Sequence, residues 1–162
     1  MHYIIDTNVP VTANGKSDAG PACVKAAAER LEQLKAGEIL VLDTAFIILN
    51  EYDRNLNSIG QPGPGDAFYL WALRQRNNPA RCEQVPLQTD PDGSFTAFPT
   101  DSDLAGFDSS DRKFVALALT HPARPAIVNA TDTDWHKDLA ALQRHGVTVE
   151  FICPEEMSRQ RL

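Results

Sequence analysis

Carboxylates recur in this chain where short apolar runs stop. Tyr3-Ile4-Ile5 ends in Asp6-Thr7-Asn8, Ile39-Leu40-Val41-Leu42 ends in Asp43-Thr44, and Ala126-Ile127-Val128 is followed by Asp132 and Asp134. Runs of this kind read as buried strands. In open parallel α/β sheets, ligands bind at the carboxyl ends of the strands. Acids gathered on one such rim repel one another unless a divalent cation lies between them. A set of hard oxygen ligands without His or Cys points to magnesium or manganese rather than zinc.

Each acid also has an ordinary structural reading. Asp6 can cap a turn. Asn8, two residues on, can point the same way, with Thr7 facing elsewhere. Glu51 lies in the apolar stretch Ala45–Tyr52, beside the face that should pack on the sheet, and Glu is seldom buried without a partner. Asp108 and Asp111 flank Ser109-Ser110 before an apolar helix, so Asp108 can be its N-cap and Asp111 an acid of its first turn. Asp132, Thr133 and Asp134 can likewise cap the segment after them. What favours a site is the recurrence of the acids.

The elements that must place these groups alternate strand and helix. Strands are predicted at 3–5, 39–42, 126–128 and 147–152. Helices are predicted over 21–36, from Ala45 to about Leu56, from Asp66 to about Arg76, over 111–120, and from about Trp135 to Arg144. This order implies a parallel sheet with right-handed crossovers. Pro10 to Gly20 reads as a loop. Asp90-Pro91-Asp92-Gly93 reads as the turn of a hairpin between Gln84–Gln88 and Ser94–Phe98.

The chain has 162 residues, 43% hydrophobic and 23% charged, which suits one globular domain over 1–162. No apolar run approaches the ~20 residues that cross a bilayer, and the N-terminus lacks the features of a signal peptide. Cys23, Cys82 and Cys153 are odd in number and widely spaced, so reduced thiols and a cytoplasmic location are expected. The net charge of −7 disfavours a broad basic face for nucleic acid. It leaves open a local one: residues 54–82 carry Arg54, Arg74, Arg76 and Arg81 against the single acid Asp66, with Tyr69 and Trp71 available for stacking. The same aromatic residues can equally be core. Arg112 and Lys113 are alternative phosphate contacts. The four histidines match no catalytic pattern and read as surface residues.

In order along the chain, Ile4-Ile5-Asp6-Thr7-Asn8, Ile47-Ile48-Leu49-Asn50-Glu51-Tyr52, Asp111 opening Arg112–Ala118, and Ala130-Thr131-Asp132-Thr133-Asp134-Trp135 resemble the four motifs of the PIN-domain nuclease family. Thr131 stands where Asn is common, and the stretch 60–107 is longer than compact members need, which marks it as an insertion. The resemblance implies a three-layer α/β/α sandwich with a central, mainly parallel sheet. It also implies hydrolysis of phosphodiester bonds in single-stranded RNA with Mg2+ or Mn2+. Asp6, Glu51, Asp111 and Asp132 would be the metal-holding catalytic acids, with Asn8, Thr131, Asp134 and Asp108 in support. Many small members are toxins paired with an antitoxin protein and form homodimers, so both partners are expectations. The alternatives are an RNA-processing nuclease without a toxin role and a catalytically silent binding module. A phosphotransferase using Asp6 as nucleophile would usually carry a second Asp at position 8, where this chain has Asn8.

Overall fold

The computed structural model describes residues 1–158. Along the chain come β1 (His2–Ile5), α1 (Asn8–Ala13), α2 (Pro21–Gly37), β2 (Ile39–Asp43), α3 (Ile47–Asn55), α4 (Pro64–Gln75) and β3 (Cys82–Val85). After them come α5 (Arg112–Thr120), β4 (Ala126–Asn129), α6 (Asp134–Lys137), α7 (Leu139–Arg144), β5 (Val149–Phe151) and α8 (Pro154–Met157). Among the described residues five strands form one sheet in the order β3-β2-β1-β4-β5, every pair parallel. Right-handed crossovers place α1 to α4 over one face and α5 to α7 over the other. The result is a three-layer α/β/α sandwich.

The central strands are buried on both faces. Ile4, Ile5, Leu40, Val41, Leu42, Ile127 and Val128 have no exposed surface, which explains why they read as continuous apolar runs rather than alternating ones. The strand order reverses between β1 and β4, which pair from Tyr3↔Ala126 to Ile5↔Val128. In a sheet of this kind the crevice outside the carboxyl ends at such a reversal is the place where ligands bind.

Several expectations are corrected. The stretch after Asn8 is not loop: Asn8–Ala13 is α1, with Pro10 in its first turn, where a missing N–H costs no intrahelical bond. The loop begins only at Asn14-Gly15, Gly15 taking φ +71°. The 84–98 hairpin is reduced to one antiparallel bridge, Thr89↔Phe95. Of its expected first strand, Gln84–Gln88, only Gln84 and Val85 are in a strand, the parallel edge strand β3, whose Cys-Glu-Gln-Val sequence is too polar to announce a core strand. The helix expected over 135–144 breaks at Asp138 into α6 and α7.

Two connections fix the upper layer. Asn14 Oδ1 accepts from the amides of Gly65 and Asp66 and so caps α4 from α1. A Cβ at Gly65 would lie 1.9 Å from the Pro10 carbonyl oxygen, so only glycine lets α4 approach α1 this closely. Asp43, at the end of β2, is fully buried and accepts from the amides of Ile47 and Ile48, starting α3. That strand-end acid therefore starts a helix and is not part of the rim cluster.

The cysteines also depart from expectation. Cys23 in α2 and Cys153, just ahead of α8, form a disulfide with a Cα–Cα distance of 5.4 Å, and buried Cys82 is the free thiol. The two partners are 130 residues apart, a separation at which spacing carries no pairing signal. No helix is long and apolar enough to cross a membrane among the described residues.

Candidate metal centre

At the β1–β4 reversal, Asp6, Asp111 and Asp132 each present a carboxylate oxygen, and the three oxygens lie within 4.8 Å of one another. Asp6 comes from the end of β1, Asp132 from the turn after β4, and Asp111 from the 3-10 turn Ser109–Asp111 that leads into α5. Asp111 belongs as well to a second such group, with Asp108 and Asp134.

Asp6 is held from two sides. Its Oδ1 accepts from the Asn8 amide at 3.1 Å, and its Oδ2 accepts from Trp135 Nε1 at 2.8 Å. Trp135 is fully buried and meets Phe107 edge to face, so the indole N–H is fixed by packing. Burial nevertheless raises the Asp6 carboxyl to about 7; the two donors oppose this rise, and the charges of Asp132 and Glu51 add to it.

Asn8 and Asn129 tie the two strand ends together. Asn8 Nδ2 donates to Asn129 Oδ1 at 2.8 Å, while Asn8 Oδ1 accepts from the amides of Ala130 and Thr131. Asn129 Oδ1 also accepts from the Asp132 amide, and its Nδ2 donates to the Asp132 carbonyl. Asp132 Oδ1 takes the Asp134 amide at 2.9 Å. Asn8 is therefore a clamp across the reversal, setting where Asp132 sits relative to Asp6.

Asp111 is the least satisfied of the acids. It is 8% exposed, and its Oδ2 has no hydrogen-bond partner among the described residues. Burial pushes its carboxyl up to about 9, with further rises from the Asp6 charge and from the Asp132 carboxyl against it. A buried carboxylate oxygen without a donor costs on the order of 1–3 kcal/mol, more when charged. A structural acid would be capped, as Asp108 is: its Oδ1 takes both the amide and the hydroxyl of Ser110, which holds its carboxyl below the usual range. Asp134 opens α6, and burial raises its carboxyl, with Asp132 adding to the rise.

Glu51 stands beside this group and not in it. Its Oε1 is paired with Lys113 Nζ at 2.7 Å, and its Oε2 accepts from Thr7 Oγ1. Tyr52, next in α3, donates to the Ile5 carbonyl at 2.6 Å and docks the helix on β1. Thr7 and Trp135 are site residues whose roles the sequence did not reveal, although both adjoin a motif acid.

The expected phosphate contacts divide. Lys113 is 6% exposed and bound by Glu51 and the Ser110 carbonyl. Arg112 donates to the carbonyls of Leu104, Ala105 and Phe107 and lies 4.5 Å over the Phe98 ring, fastening the insertion to α5. Both side chains, expected as alternative phosphate contacts, thus have internal partners. Arg54 and Arg74 are exposed on α3 and α4. Arg76 is half-buried and donates to the Leu73 carbonyl, and Arg81 precedes β3 at the end of the sheet away from the acids. Tyr69 is core, and Trp71 packs against Phe68.

A second mixed group, His2, Glu83 and His121, includes the opposite end of β1. His121 is buried, which corrects its reading as a surface residue. Its Nδ1 accepts from the Ala123 amide, which places the ring proton on Nε2, where it donates to Glu83 Oε1 at 2.7 Å. That nitrogen has no lone pair free for a metal.

No protein-family model, curated protein or solved structure matches this chain.

The raised carboxyls set a pH dependence. Asp6 and Asp111 hold protons in the folded state that the unfolded chain releases near pH 4. Their contribution to stability is complete below that value and is lost as pH climbs through about 7 and then about 9. Metal-free protein in chelator should therefore melt at a lower temperature at pH 8.5 than at pH 5.5, and Mn2+ at pH 8.5 should reverse the loss. A melting temperature that rises over this interval without metal would contradict the assigned electrostatics.

Proposed function

We propose that this chain is a divalent-metal-dependent nuclease that hydrolyses phosphodiester bonds of single-stranded RNA. The observation that carries the reading is Asp111, a buried acid with a donorless oxygen, facing Asp6 and Asp132 at the strand-order reversal. The donor set suits Mg2+ or Mn2+, because every candidate ligand is a carboxylate oxygen. Asp6, Asp111 and Asp132 would hold the ion. When bound, such an ion lowers the pKa of a coordinated water and offsets charge developing on phosphorus.

The remaining residues position this set. Trp135 and the Asn8 amide fix the two oxygens of Asp6, the Asn8–Asn129 clamp fixes Asp132, and the Ser109–Asp111 turn delivers Asp111. Asp134 and Asp108 flank the rim and add negative charge to it. The choice of RNA as substrate rests on the resemblance of the four motifs.

Purified protein should cleave single-stranded RNA with Mn2+ or Mg2+, and lose the activity in chelator and in Asp6→Asn. Cleavage that persists unchanged in Asp6→Asn would remove the assignment.

A further inference from the structure

Lys113 is hard to explain by folding alone. It is the second residue of α5, in the first turn, where the helix dipole favours anions over cations. It is also buried, and burial disfavours a charged ammonium. What compensates it is Glu51 at 2.7 Å, with the Ser110 carbonyl as a second acceptor.

The two kinds of acid at the rim differ in what they hold. The donors to Asp6 are an amide and an indole N–H, both neutral, so no side-chain cation is paired with its carboxyl group. Asp111 has an oxygen with no donor among the described residues. Glu51 has an ammonium on one oxygen and the Thr7 hydroxyl on the other, and it lies outside the group whose oxygens converge. A carboxylate already neutralised by a buried cation has little left to offer a metal ion.

Resting on the nuclease reading above, we propose that Lys113 is a built-in cation that keeps Glu51 out of the metal's coordination set. Asp6, Asp111 and Asp132 are then the ligands, and Glu51 and Lys113 are positioning residues. The Lys113 ammonium occupies the place beside the rim where a further ion would otherwise be drawn to Glu51. Thr7, between Asp6 and Asn8 in sequence, links this pair to the end of β1.

Mn2+ binding, measured as affinity and equivalents per chain by calorimetry and by the electron paramagnetic signal of free Mn2+, tests the assignment without reference to activity. The charge-conserving double variant E51Q/K113M removes both members, and replacement of a buried ion pair by neutral groups is commonly tolerated. It should keep the wild-type number of Mn2+ ions, with Kd within about fivefold of wild type, since a lost contact is read at tenfold per ~1.4 kcal/mol. Asp111→Asn should weaken binding by more than about tenfold. Lys113→Met alone releases Glu51 and should tighten Mn2+ binding or add an equivalent. Loss of an equivalent, or a larger fall in affinity, in E51Q/K113M would make Glu51 a ligand and overturn the inference while leaving the metal centre in place. Unchanged binding in Lys113→Met would also overturn it. Wild-type Mn2+ binding in Asp111→Asn would overturn the metal centre itself.

Discussion

Asp111→Asn should cost about 10²–10³-fold in metal-dependent RNA cleavage and at the same time stabilise the metal-free protein. The two effects have one cause. The carboxylate is buried with a donorless oxygen, and burial together with the Asp6 charge and the Asp132 carboxyl raises it to about 9. At pH 8 the folded chain must therefore keep a proton that the unfolded chain has released, or carry a charge in a site that disfavours it. By linkage this costs on the order of 2–4 kcal/mol. Asparagine has no proton to lose over this range and keeps the shape. Its melting temperature in chelator should exceed that of the wild type by about 5–10 °C, and addition of Mn2+ should narrow the gap by stabilising the wild type more than the variant. Thermal melts at pH 8 with and without Mn2+, beside a cleavage assay, read both effects. A variant that is less stable than wild type without metal would mean that Asp111 serves the fold and not an ion.

The second large effect is expected at the disulfide. Cys23 and Cys153 close a loop of 130 residues, tying the segment that carries α8 to α2. Met157 in α8 lies against the Asn129 side chain, so this segment supports the clamp behind Asp132. In the chain-entropy model a loop of this length is worth about 4–5 kcal/mol. Reduction, or the double variant Cys23→Ala/Cys153→Ala, should lower the melting temperature by about 10–15 °C. Thiol titration of unfolded, unreduced protein should find one reactive cysteine, Cys82. Three titratable thiols, with a melting temperature unmoved by reductant, would mean that the bridge does not form.

The sequence carries the acids of the rim because their signal is local. Asp6 and Asp132 follow apolar runs that are buried on both faces, and Asp111 opens a helix whose apolar face is unmistakable. The strand-order reversal that gathers them is seen only in the sheet order β3-β2-β1-β4-β5, which right-handed crossovers allow but do not dictate. What is hidden depends on contacts distant in sequence. Glu51 and Lys113 are 62 positions apart, and a lysine beside a motif acid looks like a phosphate contact until its partner is known. Asn129 reads as the polar end of a strand, yet it organises the Asp132 turn. Pro10 masks α1, because proline reads as a helix breaker unless it falls in the first turn. β3 is masked by Glu83 and Gln84, which an edge strand tolerates, and His121 by its distance from Glu83. The cysteine pair is invisible for the same reason, at 130 residues of separation.

The central claim is that Asp6, Asp111 and Asp132 form one centre for a divalent cation. A crystal soaked in Mn2+ and measured at the manganese absorption edge tests it most directly. The expected result is an anomalous peak between these three carboxylates, each with an oxygen within about 2.5 Å of the ion, and Glu51 still paired with Lys113. A strong peak elsewhere with none among Asp6, Asp111 and Asp132 would contradict it.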